Sequence, residues 1–250
     1  MTEQPRSVIR ITGNDREHFL QGLVSNDVGR LRDGLVYAAL LTPQGKYLAD
    51  FFLVPRPDAI LLDIATPLAA GVLQRLSMYK LRSDVTLAPA EIAVTRGLGP
   101  TPEGAFADPR DPAMGWRGYD GQPGDGTDWT AQRVAHVIPE SGIELTPDTF
   151  LLEAGFERLH GVDFRKGCYV GQEVTARMKH KTELRKGLVQ VAIDGAAPVG
   201  TEITADGKPA GTLFSQSGGL ALAFLRFDRA VGAMQAGPAT ITWNGQTLLP

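Results

Sequence analysis

Lys166-Gly167-Cys168-Tyr169-Val170-Gly171-Gln172-Glu173 holds the only cysteine of the chain, set between two glycines and behind a basic pair, Arg165 and Lys166. The thiolate is the reactive form of cysteine, and adjacent cations stabilise it. Glycine accepts positive φ and lets a backbone approach a ligand closely. The competing reading is a small apolar filler in a tight loop, since free cysteine is among the most buried residue types. Exposure of the thiol separates the two.

Charge around the octapeptide is uneven. From 165 to 186 seven Lys or Arg (165, 166, 177, 179, 181, 185, 186) stand against Glu173 and Glu183, in a chain whose net charge is −3. Such a stretch suits an anionic partner, whether a polycarboxylate, a phosphate or RNA; the alternative is a solvated helix face with its own Glu–Lys pairs. The 250 residues are 43% hydrophobic and 21% charged, enough for a core of ordinary globular type. No apolar run is long enough for a membrane span. The opening Met1-Thr2-Glu3-Gln4-Pro5-Arg6 lacks the layout of a secretory leader, and one cysteine closes no internal disulfide. A reducing compartment, the cytoplasm, is the expectation.

The four histidines form no paired ligand spacing, and no CxxC or nucleotide-binding glycine fingerprint occurs, so no resident metal site is expected. A stable iron–sulfur cluster needs about four thiolates or equivalent ligands. This chain supplies one thiol, so any cluster would be transient, shared between subunits, or completed by another protein or a small thiol. A cysteine hydrolase would need a histidine paired with Cys168, and nothing in the sequence pairs one.

Ser7 to Ile11 reads as a strand. Asn14 or Asp15 then caps a helix whose Phe19, Leu20, Leu23 and Val24 share a face, and Ser25-Asn26-Asp27 ends it. Two apolar runs, 36–41 and 47–54, joined by Thr42-Pro43-Gln44-Gly45, predict a hairpin. Asp50 interrupts the second arm, so it faces solvent or is held by partners, because burying it unpaired is costly. A strand at 59–64 and a helix from Pro67 to about Tyr79 make the order α+β rather than repeated βαβ. The Gly/Pro-rich stretch 97–126 is an irregular connector or a second small sheet. Helices are expected at 129–137 and 149–159. Short apolar runs after Gly187 predict a closing β-barrel or sandwich. The expected division is 1–90, 91–186 and 187–250.

The octapeptide resembles the signature of the YgfZ-type proteins, relatives of the glycine-cleavage T-protein. Ile11-Thr12-Gly13-Asn14-Asp15, Phe19-Leu20-Gln21-Gly22, Ser25-Asn26-Asp27, Thr42-Pro43-Gln44-Gly45-Lys46 with Asp50, Tyr79-Lys80-Leu81-Arg82-Ser83-Asp84-Val85 and Ile138-Pro139-Glu140-Ser141-Gly142 are similar to other parts of that family. The resemblance implies an α+β, T-protein-like fold around a central cavity with a small C-terminal barrel. It implies tetrahydrofolate binding and a role in assembling or repairing iron–sulfur clusters, notably for tRNA-modifying enzymes. The partners it implies are folate and iron–sulfur client enzymes or cluster carriers; direct tRNA binding stays open. The functional cysteine maps to Cys168 with Lys166 beside it, and the folate-contacting acid to Asp50. Gly167, Tyr169, Gly171, Gln172 and Glu173 would form the cofactor-binding loop, with Gln172 and Glu173 either capping the next helix or bonding a pterin edge. Lys179, Lys181 and Arg185 could take the folate's glutamate tail or a partner's acidic face. A folate-dependent aminomethyl or one-carbon transferase of the T-protein type is the alternative. The T-protein has two consecutive acids where this chain has Ala49-Asp50, and it lacks the octapeptide.

Overall fold

A computed structural model describes residues 4–181 and 183–247, and of Lys181 the backbone only. The described chain divides into two compact units, 1–127 with 159–173, and 128–158 with 174–250. The expectation from sequence was three consecutive parts.

The first unit contains β1 (Arg6–Thr12), α1 (Arg16–Gln21), β2 (Val36–Leu41), β3 (Tyr47–Pro55), β4 (Ile60–Ala65), α2 (Thr66–Lys80) and β5 (Thr86–Ala90). The strands form one antiparallel sheet in the order β2-β3-β4-β1-β5. Ile9, Ile11, Val36, Ala38, Leu40, Phe51, Leu53, Leu62 and Ile64 point to one face and pack with Phe19, Leu20, Val72 and Leu76 of the two helices. The period-2 alternation of strands is why every second residue of β2, β3 and β4 enters this core.

One irregularity sets what the other face carries. Pairing steps from Leu41 opposite Tyr47 to Leu40 opposite Ala49, so Leu48 is an extra residue, a β-bulge. Leu48 and Ala49, though consecutive, both pack on the core. Tyr47 is thereby turned to the face that carries Asp50.

The Gly/Pro-rich stretch is a small sheet of β6 (Thr95–Gly97), β7 (Phe106–Ala107) and β8 (Trp116–Gly118), in the order β6-β8-β7. Its Arg117 and nearby Tyr119 reach Asp63 of β4, so the two sheets of this unit are joined by a buried ionic cluster.

The second unit holds α3 (Trp129–His136) and a closed six-stranded barrel of β9 (Lys186–Asp194), β10 (Glu202–Ala205), β11 (Lys208–Ser217), β12 (Leu220–Arg226), β13 (Ala233–Ala236) and β14 (Ala239–Thr242), in the order β10-β11-β12-β9-β14-β13. The helix expected at 149–159 is a correction: only a 3-10 turn, Leu152–Ala154, forms there, and Gly155 in the left-handed region (φ 77°) ends it. Leu151, Leu152, Ala154, Phe156 and Leu159 are all buried, so the segment has no solvent face to alternate with. Buried Arg133 of α3 ion-pairs with Glu144 and Glu140 at 3.0 Å each and donates to Ser215 Oγ of β11 at 2.9 Å, fastening the helix to the barrel. The last helix, α4 (Gln172–Lys181), opens at the end of the octapeptide.

Candidate functional site

The octapeptide is a loop braced at three points. Its entrance is fixed by the Ser25-Asn26-Asp27 segment. Ser25 Oγ donates to Gly161 O at 2.6 Å, Asn26 Nδ2 donates to His160 O at 2.7 Å, and Asp163 N donates to Ser25 O at 3.0 Å. The Asp163 carboxylate accepts from the backbone N–H of Arg165 and of Lys166, a turn-making pattern for aspartate. Read from sequence as a helix terminator, Ser25-Asn26-Asp27 is also the latch of the loop.

The second brace is Lys166. Its Nζ donates to the carbonyls of Gln21 (2.8 Å), Val24 (2.5 Å) and Asn26 (3.0 Å), at the C-terminal end of α1, where carbonyls lack helical partners. An ammonium has three N–H donors, and three carbonyls take them, leaving none for a thiolate. Burial pushes the Lys166 ammonium down to about 8, against the carboxylates of Asp27 and Asp163, which favour the charge. Tyr169 lies with its ring 5.0 Å from the same Nζ.

Gly171 is the third. Its φ is +85°, and a Cβ there would lie 2.6 Å from Thr42 O and 2.9 Å from Leu41 Cβ, so the loop seats directly on the Thr42–Gly45 turn. Only glycine meets both conditions. Gln172 closes the end, its Oε1 accepting from Tyr169 N at 3.1 Å; Glu173 stands exposed in the first turn of α4. Between the braces Gly167 and Cys168 are exposed, and a Cβ on Gly167 would meet nothing within 4 Å. The buried-filler reading of the cysteine is excluded.

Asp50 is 5% exposed, so its alternative of a solvent-facing position falls away. Tyr47 Oη donates to one carboxylate oxygen at 2.7 Å and Tyr37 Oη to the other at 2.9 Å. Burial and the Asp50 charge hold the Tyr37 phenol well above its ordinary range, so it remains a donor. Asp50 and the octapeptide are linked through β3: the turn on which Gly171 sits leads directly into the strand that carries Asp50.

Next along the same face lies Phe52, with the guanidinium of Arg117 4.0 Å and that of Arg110 4.8 Å from its ring centre. Asp63 accepts from Arg117 at 2.6 Å, Arg6 at 2.7 Å and Tyr119 at 2.8 Å, while Arg110 forks onto Asp108 at 2.8 and 3.0 Å. The two arginines hold Asp63 down at about 2 despite full burial, and Asp108 is likewise lowered by Arg110. None of these residues was singled out from sequence. The available signal was Asp63 itself, an acid inside the apolar run Ile60 to Ala65, the same anomaly that marks Asp50.

The barrel, residues 185–250, matches the family described as CAF17, C-terminal beta-barrel domain. The mouse mitochondrial iron–sulfur cluster assembly factor IBA57 is 31% identical in a match covering 92% of this chain and 78% of the mouse protein. The chain belongs to the IBA57-type family of iron–sulfur cluster assembly factors. An IBA57 homologue of the fungus Mycosarcoma maydis, also mitochondrial, is 34% identical over 75% of this chain, but the match spans only 55% of that longer protein. The glycine-cleavage aminomethyltransferase T of Bartonella henselae superposes with a TM-score of 0.70 over 94% of this chain and 81% of its own, at 13% identity. The T-protein-like fold expected for this IBA57-type chain therefore holds, terminal barrel included. The cytoplasmic expectation does not: the IBA57 relatives are mitochondrial proteins, which overturns a placement drawn from the opening residues and the cysteine count. Among the described residues no three His, Cys, Asp or Glu side chains are grouped to hold a metal ion, and no helix is long and apolar enough to cross a membrane. The side chain of Lys181 lies outside the described residues; Lys179 is ion-paired with Glu157 at 2.6 Å.

Proposed function

We propose that this chain assembles iron–sulfur clusters on client enzymes by offering Cys168 as one ligand of a cluster whose other ligands belong to a carrier or client. The observation that carries the reading is an exposed thiol on a loop held by Ser25, Asn26, Lys166 and Gly171. Bracing lowers the ordering cost of docking, and exposure lets a second protein complete the coordination. On ligation the thiol gives up its proton and the thiolate sulfur binds iron. One thiolate is too few for a resident cluster, which makes the cluster cargo. Lys166 serves as a positioning residue, since its three donors are spent on α1.

Tetrahydrofolate is proposed as a ligand on the Asp50 side. The group fits in kind: Asp50 is a buried carboxylate held in orientation by two phenols, and a pterin edge carries N–H groups of the sort a carboxylate accepts. When bound, the folate would supply a one-carbon carrier or a redox-active pterin. Asp50 would orient it, with Tyr37 and Tyr47 orienting Asp50. Enzymes that modify tRNA through iron–sulfur clusters are the proposed clients.

The test uses the purified chain, a loaded [2Fe–2S] carrier, an apo [4Fe–4S] client and a chemical reductant that supplies the two electrons needed to join two [2Fe–2S] units, under anaerobic conditions. Cys168→Ala should fold and melt as the wild type yet lose the shared-cluster absorbance and the maturation of a [4Fe–4S] client. Normal maturation by that variant overturns the thiol role. Calorimetric titration with tetrahydrofolate on wild type and Asp50→Ala tests the second part; equal affinity of the two, or no binding to either, overturns it.

A further inference from the structure

The start of α1, the 3-10 turn at Val28–Arg32 and the β3–β4 hairpin enclose a pocket of about 440 Å³ that the proposed function does not use. Arg16, Arg32 and Arg56 line it over an aliphatic floor that includes Val28, Leu31 and Ile60. Glu17 is the one carboxylate among its lining residues. The volume is within the range that accepts small molecules.

The three guanidiniums are differently employed. Arg56 is paired with Asp120 at 2.8 Å and lies 5.9 Å from the Phe106 ring centre, so its charge is compensated and its position fixed. Arg16 donates from Nη1 to Gly13 O at 2.9 Å, and its buried Nε has no hydrogen-bond partner among the described residues. Arg32 donates from Nε to Gly29 O at 2.7 Å. Carbonyls, not carboxylates, are thus the partners of Arg16 and Arg32 among the described residues. The adjacent Asp27 carboxylate is bonded to Gly29 N and to Gln21 Nε2, both at 3.0 Å. Neither Arg16 nor Arg32 forms an ion pair among the described residues, although Glu17 lines the pocket and the Asp27 carboxylate borders Arg32; two guanidiniums so placed still favour an anion. The planar fork of arginine matches carboxylate and phosphate oxygens, which an ammonium does not.

We propose that this pocket is a binding site for a small organic anion, with a phosphate or carboxylate head between Arg16 and Arg32 and an apolar body on Val28, Leu31 and Ile60. The site is independent of Cys168 and of the cluster reading.

Calorimetry at low ionic strength with phenyl phosphate, phthalate and inorganic phosphate tests it. Phenyl phosphate or phthalate should saturate one site per chain, and about tenfold more tightly than inorganic phosphate, because the floor needs an apolar body. Arg16→Gln and Arg32→Gln should each weaken the better probe about tenfold. Arg226→Gln, whose arginine pairs with Asp228 in the barrel unit, should leave it unchanged. Glu17 is exposed, so Glu17→Gln keeps the fold and should tighten binding about threefold by removing the one carboxylate among the lining residues. Cys168→Ala should bind as the wild type. Absence of saturation by both organic probes to roughly 20 mM overturns the proposal. So does unchanged affinity in both arginine variants, or weaker binding by Glu17→Gln.

Discussion

Asp63→Asn probes the cluster that joins the two sheets of the first unit, and its cost can be worked from the contacts. Asp63 is fully buried and accepts from Arg6, Arg117 and Tyr119. Asparagine keeps one acceptor oxygen and turns an NH2 toward guanidiniums, leaving two cations facing a neutral group. Removing one partner of such a buried pair costs about 3–5 kcal/mol. The ionisation itself is part of that figure. The carboxyl titrates at about 2 in the native state against an ordinary 3.8, and each pKa unit is worth about 1.4 kcal/mol, giving about 2 kcal/mol. Since the native pKa is depressed, this contribution is complete above the unfolded value and is lost as pH falls through the native one. Urea unfolding of wild type and Asp63→Asn, followed by near-UV circular dichroism, reads the difference. It should be constant from pH 7 to 5, then narrow by about 1 kcal/mol at pH 3 and by about 2 kcal/mol near pH 2. A difference that stays flat to pH 3, starts to close above pH 5, or totals less than about 1 kcal/mol at pH 7 refutes the assignment.

Gly171→Ala should destabilise the first unit by about 2–4 kcal/mol, from about 1–2 kcal/mol of left-handed strain plus displacement of the Thr42–Gly45 turn, while Gly167→Ala should cost less than about 1 kcal/mol. Equal thermal shifts for the two variants would show that the loop does not rest on that turn. Lys166→Met should cost about 2–3 kcal/mol by stripping three carbonyls of their donors, and should speed amide exchange around 21–26 and 163–171. Because burial lowers Lys166 to about 8, the unfolded chain keeps the proton longer, so wild-type stability relative to Lys166→Met should rise with pH between about 8 and 10.5. A relative fall over that window contradicts the buried placement.

What sequence could say about this site was limited by where its contacts lie along the chain. The octapeptide, the Gly turn and the acid in β3 are local patterns, and each carries its chemistry in neighbouring residues. That Asp50 is held by two phenols is not local. Strict alternation places Tyr47 on the core face, and only the bulge at Leu48 turns it to Asp50. Two of the three side-chain partners of Asp63, Arg117 and Tyr119, are 54 and 56 residues away, in the Gly/Pro-rich stretch that the sequence reads only as a connector or a small sheet. Lys166 shows the opposite error, since nearness in sequence suggested a cation for the thiol. Its side chain instead spans 140 to 145 residues of sequence to close the end of α1. The consequence for mechanism is direct. Lys166 holds the loop still and the thiol lies at the surface; on the proposed reading the iron, whose binding displaces the Cys168 proton to solvent, arrives with the partner together with the remaining ligands. Reactivity of Cys168 should therefore depend on the docked protein more than on any residue of the octapeptide.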